Sequence, residues 1–262
     1  MLGNPPSPRR RILITGASSG LGEQMARIWA AMGRDLALCA RRSAELERLR
    51  DELLAQHPQR RVVVRALDVN DPEATEEVFA DCSAALGGLD RVVANAGVAS
   101  GGPIGLGHAA ANRAVAQTNF VGVLNQAEAA LSQFRRAGAG HLVVMSSIAG
   151  LRGLGGDLNV YSATKAGVAT LAEGLRADLW HSPIRVTAIH PGYIRTAMFD
   201  HAPDVKWSVD AVTGTSEIVA AIEREPARAY VPARTWRPLV LPIKLLPMGL
   251  YRVLADRING VR

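Results

Sequence analysis

Tyr161 and Lys165 stand four residues apart in a stretch that reads as helix over 161–180. Residues so spaced share one helix face, so a phenol and an ammonium can point into the same site. The chemistry such a pair could do is proton transfer. A free tyrosine is a poor acid or base at neutral pH because its pKa is about 10, and bringing it near 7 takes roughly 4 kcal/mol. One cation about 5 Å away, at an effective dielectric of about 20, supplies roughly 3 kcal/mol. A lysine one turn along is therefore nearly sufficient, and a second positive centre in the site could complete the shift. A solvated Tyr/Lys pair on a surface would do none of this, so the elements around the pair decide.

The apolar run 11–15 reads as a buried strand. Gly16-Ala17-Ser18-Ser19-Gly20-Leu21-Gly22 follows, and then a helix over 23–32. Strand, glycine-rich turn and helix in that order aim backbone N–H groups at a phosphate. The spacing is G-x-x-x-G-x-G rather than the commoner G-x-G-x-x-G. A second strand, 35–40, ends in Arg41-Arg42. In a dinucleotide fold that end meets the adenosine ribose, where an acidic residue binds a free 2′-hydroxyl and arginine suits a 2′-phosphate. NADP(H) is therefore expected over NAD(H). Ser43 is the expected N-cap of a helix over 44–56.

A third strand, 61–67, leads into Asp68-Val69, and Asp71-Pro72 opens a helix running to Leu86. A fourth strand, 89–94, ends in Asn95-Ala96-Gly97, and a long helix over 108–136 carries Asn119 near its middle. The fifth strand, 141–147, ends on two serines, and a glycine-rich loop over 148–160 leads to the Tyr161 helix. The sixth strand, 184–190, runs into Pro191-Gly192-Tyr193-Ile194-Arg195-Thr196; a helix over 216–224 and a seventh strand beginning at Tyr230-Val231 complete the pattern. Repeated βα units without hairpin signals predict one Rossmann-like, doubly wound α/β domain over 1–262. Its sheet should be predominantly parallel and seven-stranded, with helices on both faces.

Composition narrows the classes. The chain is 48% hydrophobic and 21% charged, which is globular rather than disordered. The net charge of +6 comes from arginine, with only three lysines. Apart from Arg9-Arg10-Arg11 the basic residues are scattered, which argues against nucleic acid. Cys39 and Cys82 read as unpaired thiols of a reducing compartment and have no metal-ligand spacing. The start lacks a signal peptide's apolar core, and no run of about 18 apolar residues occurs, so a cytoplasmic protein is expected. Residues 193–215 read as a substrate lid and 236–262 as an apolar tail, broken by Pro238, Pro242, Lys244 and Pro247. That tail reads as a lid or subunit contact, or as a peripheral membrane contact through 236–257 with Arg252 and Arg257 near headgroups.

Thr15 to Gly22, Asp68-Val69, Asn95-Ala96-Gly97, Asn119, Ser147, Tyr161 with Lys165, and Pro191-Gly192 with Thr196 together resemble the short-chain dehydrogenase/reductase family in its compact form, over about 11–198. The resemblance implies an oxidoreductase that moves hydride between NADP(H) and a carbonyl or secondary alcohol. It implies Tyr161 as the acid/base and Lys165 as the group that lowers its pKa and bonds the nicotinamide ribose. Ser147 would hold the substrate carbonyl, and Asn119 would support a water-linked proton path to Lys165. Gly16, Ser18, Ser19, Gly20, Leu21 and Gly22 would surround the pyrophosphate and adjoining ribose. Asp68 and Val69 would meet adenine; Asn95, Ala96 and Gly97 would border the cofactor. Pro191 and Gly192 would also bind the cofactor, Ile194 and Thr196 would fix the nicotinamide amide, and Arg41 with Arg42 or Ser18 would take the 2′-phosphate.

One departure stands out. The step from Ser147 to Tyr161 is one residue longer than the family's usual spacing, and Ile148 occupies the usual position. An extra residue in the 153–159 loop accounts for this; Ser146 is the fallback, but strand alternation points it to the other face. The pocket stretches 98–106, 148–160 and 193–212 are mostly apolar or small, which favours a lipophilic small-molecule substrate. By the same resemblance the long helices 108–136 and 161–180 would pair between subunits of a homodimer or homotetramer. Two other readings are a non-catalytic NADPH-binding regulator, which should lack one of Asn119, Ser147, Tyr161 and Lys165, and an extended sugar-nucleotide epimerase, for which too little chain follows the Rossmann part.

Overall fold

In β1 (Arg11–Thr15) Leu13 faces one side and Ile12 and Ile14 the other, and all three are fully buried. A strand apolar on both faces must be covered on both, which is the rule for parallel sheets. The computed structural model describes residues 9–196 and 207–259. Its sheet is made of β1, β2 (Asp35–Ala40), β3 (Val62–Ala66), β4 (Arg91–Ala94), β5 (Gly140–Met145), β6 (Ile184–Pro191) and β7 (Arg228–Val231). The order is β3-β2-β1-β4-β5-β6-β7, and every neighbouring pair is parallel. The order reverses between β1 and β4, and the crevice beyond the strand ends at that point is where such sheets bind ligands.

Two cores follow from the alternation. On the Leu13 side Phe79 of α3 (Pro72–Leu86), Phe134 of α5 (Gly122–Ala137) and Val168 of α6 (Asn159–Asp178) are fully buried. On the other side lie Trp29 of α1 (Gly20–Ala31), Leu46 and Leu49 of α2 (Ser43–Gln56), and Ile218 and Ile222 of α7 (Ala211–Glu223). A third, smaller core forms where α8 (Ala233–Trp236), α9 (Val240–Leu245) and α10 (Met248–Asn259) fold back: Trp236, Ile243 and Tyr251 pack on Leu151, Leu154 and Tyr193.

Local chemistry moved several boundaries. Arg42, not Ser43, is the N-cap of α2, and Ser43 opens the helix. Asp71 caps α3 as its type predicts, accepting from Ala74 N–H at 2.9 Å. α7 starts earlier than expected because Asp210 caps it, accepting from Thr213 N–H at 2.8 Å. The long helix is not uniform: α4 (Ala109–Ala116) passes through a π turn over Gln117–Val121 into α5. The 148–160 loop contains two short 3-10 turns, Ile148–Leu151 and Gly156–Leu158. Of the expected lid, 197–206 lie outside the described residues, as do 260–262 of the tail and the Arg257 side chain. Among the described residues no helix is long and apolar enough to cross a membrane.

Candidate functional site

A cleft of about 310 Å³ opens over the carboxyl ends of the strands. Gly16 and Gly20 form its floor at one end with φ of +63° and +61°, which glycine adopts without a Cβ penalty. Gly22 behaves differently from the expectation. It does not line the cleft; a Cβ there would lie 2.5 Å from the Gly16 carbonyl oxygen, so its bareness seats α1 against the turn. Ser19, the N-cap of α1, makes no capping bond through its side chain. The N–H groups of the first turn are therefore left for an anion. Ser18 and Ser19 instead accept from the Arg42 guanidinium at 2.9 and 2.6 Å. Ala40, Arg41, Arg42, Leu67, Asp68 and Val69 line this far end.

The crevice between β1 and β4 is held by side chains. Thr15 Oγ1 donates to Gln126 Oε1 at 2.7 Å and accepts from the N–H groups of Asn95 and Ala96 at 3.0 and 3.1 Å. Asn95 Nδ2 donates back to the Thr15 carbonyl at 2.9 Å. Gln126 was not singled out in the sequence, and Thr15 only as the first residue of the glycine motif, because their partners come from other elements. Asn95, Ala96 and Gly97 then form the cleft's middle wall.

Ser147, Tyr161 and Lys165 meet at the other end. Lys165 is buried, donates from Nζ to the Met145 carbonyl at 2.7 Å and lies 5.6 Å from the Tyr161 ring centroid. Burial pushes its pKa down to about 8. Tyr161 departs from the sequence expectation: burial pushes its phenol up, and a hydrogen bond with Ser147 works weakly in the opposite sense. The reason is that Lys165 is itself desolvated and turned to Met145, so its cation does not offset the phenol's burial. Ser147 Oγ accepts from Ala149 N–H at 3.1 Å and also approaches the Pro191 carbonyl at 3.4 Å. Ser146 uses its hydroxyl on the Lys165 carbonyl at 2.8 Å, which leaves Ser147 as the serine bonded to Tyr161.

Asn119 lies behind the cleft wall rather than on it. It is fully buried in the π turn, where its Oδ1 accepts from Val98 N–H and its Nδ2 donates to the Val98 carbonyl, both at 2.8 Å. Gly97 leaves the space between Asn119 and Lys165 open: a Cβ there would lie 3.1 Å from Asn119 Oδ1 and 3.7 Å from Lys165 Nζ. His190, at the end of β6, is a further residue that spacing did not mark. Its Nδ1 donates to the Ser147 carbonyl at 3.3 Å, its ring stacks on Tyr230 at 4.8 Å, and burial pushes its pKa down to about 4.

Val98, Met145, Ile148, Leu154, Leu158 and Tyr193 make the wall beside Tyr161 apolar, while Pro191, Gly192, Ile194 and Thr196 close the floor. The third core backs this wall. Arg152 ties the two together, donating to the carbonyls of Ile243, at 3.1 Å, and Leu246, and lying 4.8 Å over the Tyr251 ring. Gly192 is required by the same packing, since a Cβ would come 1.9 Å from Trp236 Nε1. Among the described residues no group of three or more His, Cys, Asp or Glu could hold a metal ion.

Comparison with known proteins agrees with this arrangement. Residues 10–206 match the family described as short chain dehydrogenase. An uncharacterized oxidoreductase of Mycobacterium tuberculosis is 50% identical over 244 residues, covering 93% of this chain and 96% of that protein. The alcohol dehydrogenase of Thermococcus sibiricus, solved with 5-hydroxy-NADP, superposes with a TM-score of 0.76 at 25% identity, over 85% of this chain and 95% of that one. A short chain dehydrogenase/reductase of Burkholderia phymatum, solved with NAD, shares the fold at a TM-score of 0.79 and 22% identity, over 91% and 92% of the two chains. With its parallel sheet, its glycine-floored crevice and a family match across most of its length, the chain belongs to the short chain dehydrogenase family of oxidoreductases.

Proposed function

We propose that the protein is an NADP(H)-dependent reductase of lipophilic ketones or aldehydes, able to run in reverse on secondary alcohols. The observation that carries this reading is one cleft with Ser147, Tyr161 and Lys165 at one end and Arg41 and Arg42 at the other. The residues present fit a dinucleotide. The bare N–H groups at the start of α1 suit a pyrophosphate, Asp68 between Leu67 and Val69 suits a base, and Arg42 across Ser18 and Ser19 suits a 2′-phosphate. Ile194 and Thr196 line the floor, where they would meet the nicotinamide amide. The NADP-derived ligand of the Thermococcus enzyme is in keeping with this; the NAD of the Burkholderia protein is why both cofactors belong in the test.

When bound, the nicotinamide supplies the hydride or accepts it. Ser147 hydrogen-bonds the carbonyl oxygen and orients it. Tyr161 gives its proton to that oxygen, so the carbon gains a hydride, the oxygen a proton, and an alcohol leaves. The burial that raises Tyr161 keeps the phenol protonated at neutral pH, as a proton donor must be. Lys165 would hold the nicotinamide ribose and pass a proton back to Tyr161, taking one in turn from solvent, with Asn119 fixing the wall behind the gap left by Gly97. The apolar wall around Leu154 and Tyr193 favours an uncharged, greasy substrate.

The protein acts in the cytoplasm, in keeping with the free thiols of Cys39 and Cys82, 4.0 Å apart. It assembles as a homodimer or homotetramer through α4–α5 and α6, where Phe120 and Leu124, one turn apart, leave apolar surface uncovered. The test is loss of NADPH absorbance by purified protein over carbonyls graded in size and polarity, with NADH alongside. Tyr161→Phe should lower kcat by about 10²–10⁴-fold and leave NADPH affinity unchanged. Tight NADPH binding with no turnover of any carbonyl would sink the reductase reading.

A further inference from the structure

The C-terminal segment has two faces. The inner one is the third core, packed on Leu154 and Tyr193 of the cleft wall. The outer one is apolar and bare. Leu241 and Leu245, one turn apart on α9, and Met248, Leu250 and Val253 on α10 range from 50% exposed at Val253 to 72% at Leu245. Five such side chains on two adjoining helices differ from the scattered single hydrophobics of an ordinary surface. Arg234, Arg237 and Lys244 are exposed in the same segment, and no Asp or Glu occurs from 226 to 253.

Charge selects the occupant. A second copy laid on this face would set the same cations against themselves. A neutral apolar ligand would leave them unanswered. An anionic lipid surface answers both features, because the acyl boundary takes the leucines and the headgroups take the arginines and lysine. We propose that 237–253 form a docking face for an anionic lipid bilayer, lying over the substrate end of the cleft. Docking there would hand a lipophilic substrate to the cleft from the hydrocarbon boundary; that consequence rests on the proposed reductase, whereas the docking itself does not.

The experiment is sedimentation of the full chain with vesicles of phosphatidylcholine, with and without phosphatidylglycerol, at low and high salt. The wild type should sediment with the anionic vesicles, and added salt should release it. Lys244→Glu should weaken binding about tenfold. Leu241→Gln with Leu245→Gln should abolish it with an unchanged melting temperature. Absence of wild-type binding to anionic vesicles, or full binding by the double leucine variant, would overturn the proposal. So would a double variant that sheds a subunit in size-exclusion chromatography, since the face would then be a subunit contact. NADPH consumption with a water-soluble ketone, measured on the same proteins, reports on the reductase independently.

Discussion

Arg42 joins the far end of the cleft to its glycine turn, because one guanidinium bonds both Ser18 and Ser19. Charge-assisted hydrogen bonds of this kind contribute about 1.5–3 kcal/mol. Arg42→Ala should therefore weaken NADPH by about 10–100-fold and NADH hardly at all, as read by titration of cofactor fluorescence. An equal loss for both cofactors would mean that Arg42 only shapes the turn. His190 gives a second residue-scale expectation, this time in pH. Its pKa lies near 4 folded and about 6.5 unfolded, so below 6.5 the unfolded chain binds the proton and the folded protein resists it. Stability should be full above pH 6.5 and fall as pH drops toward 4, by about 3 kcal/mol for this group. Buried His141, whose pKa is also held well down by burial, acts in the same sense. Melting temperature against pH should show this acid limb, and His190→Asn, which keeps a donor for the Ser147 carbonyl, should flatten it without abolishing turnover.

At the scale of elements, the strands and the glycine turn were legible because their signals are local: alternating burial, caps and turn residues lie within a few positions of one another. Tyr161 and Lys165 were legible for the same reason, as one helix face. What escaped was set by residues far apart in the chain. Arg152 bonds a carbonyl 91 residues away, and nothing in its neighbourhood announces that. Gly192 reads as part of a loop, yet its lack of a side chain is imposed by Trp236. Asn119 stood out as a polar residue within a helix, but the π turn around it and its pairing with Val98 depend on how α4–α5 crosses the β4 loop. The upward shift of Tyr161 was also missed, since sequence spacing carries the lysine's charge but not the depth at which both groups are buried. Gly192→Ala should push Trp236 out of the third core. Burying Ala there costs about 1–3 kcal/mol by overpacking, and hydrogen exchange should quicken in α8 and α9 before the sheet is affected.

Across the whole molecule the two ends of the sheet do different work. The carboxyl ends hold the cleft, while the amino ends hold a buried polar cluster. There Arg91, 1% exposed, donates to His141 Nδ1 at 2.9 Å and pairs with Glu223 and Glu225, and Arg9 reaches Glu225 at 2.7 Å. His141 in turn bonds Thr187 at 2.9 Å, so β4, β5, β6 and the end of α7 are tied together. Arg91 keeps Glu223 when Glu225 is removed, so the cost falls below the about 3–5 kcal/mol of a buried charge left wholly uncompensated. Glu225→Gln should therefore lower the melting temperature by about 5 °C while NADPH affinity stays as it was. A loss of affinity in step with stability would show that the two ends are coupled.

The family match ends at residue 206, whereas the wall that backs the apolar side of the cleft is built from 233–251. The stretch matched to the family and the stretch that backs the apolar wall are thus successive parts of one polypeptide, joined in space by Arg152 and by the fit of Trp236 over Gly192. Divergence can act on the last stretch alone. Exchanging that cassette, by descent or by grafting, should reshape the apolar wall while the parallel sheet and its glycine-floored crevice are inherited intact.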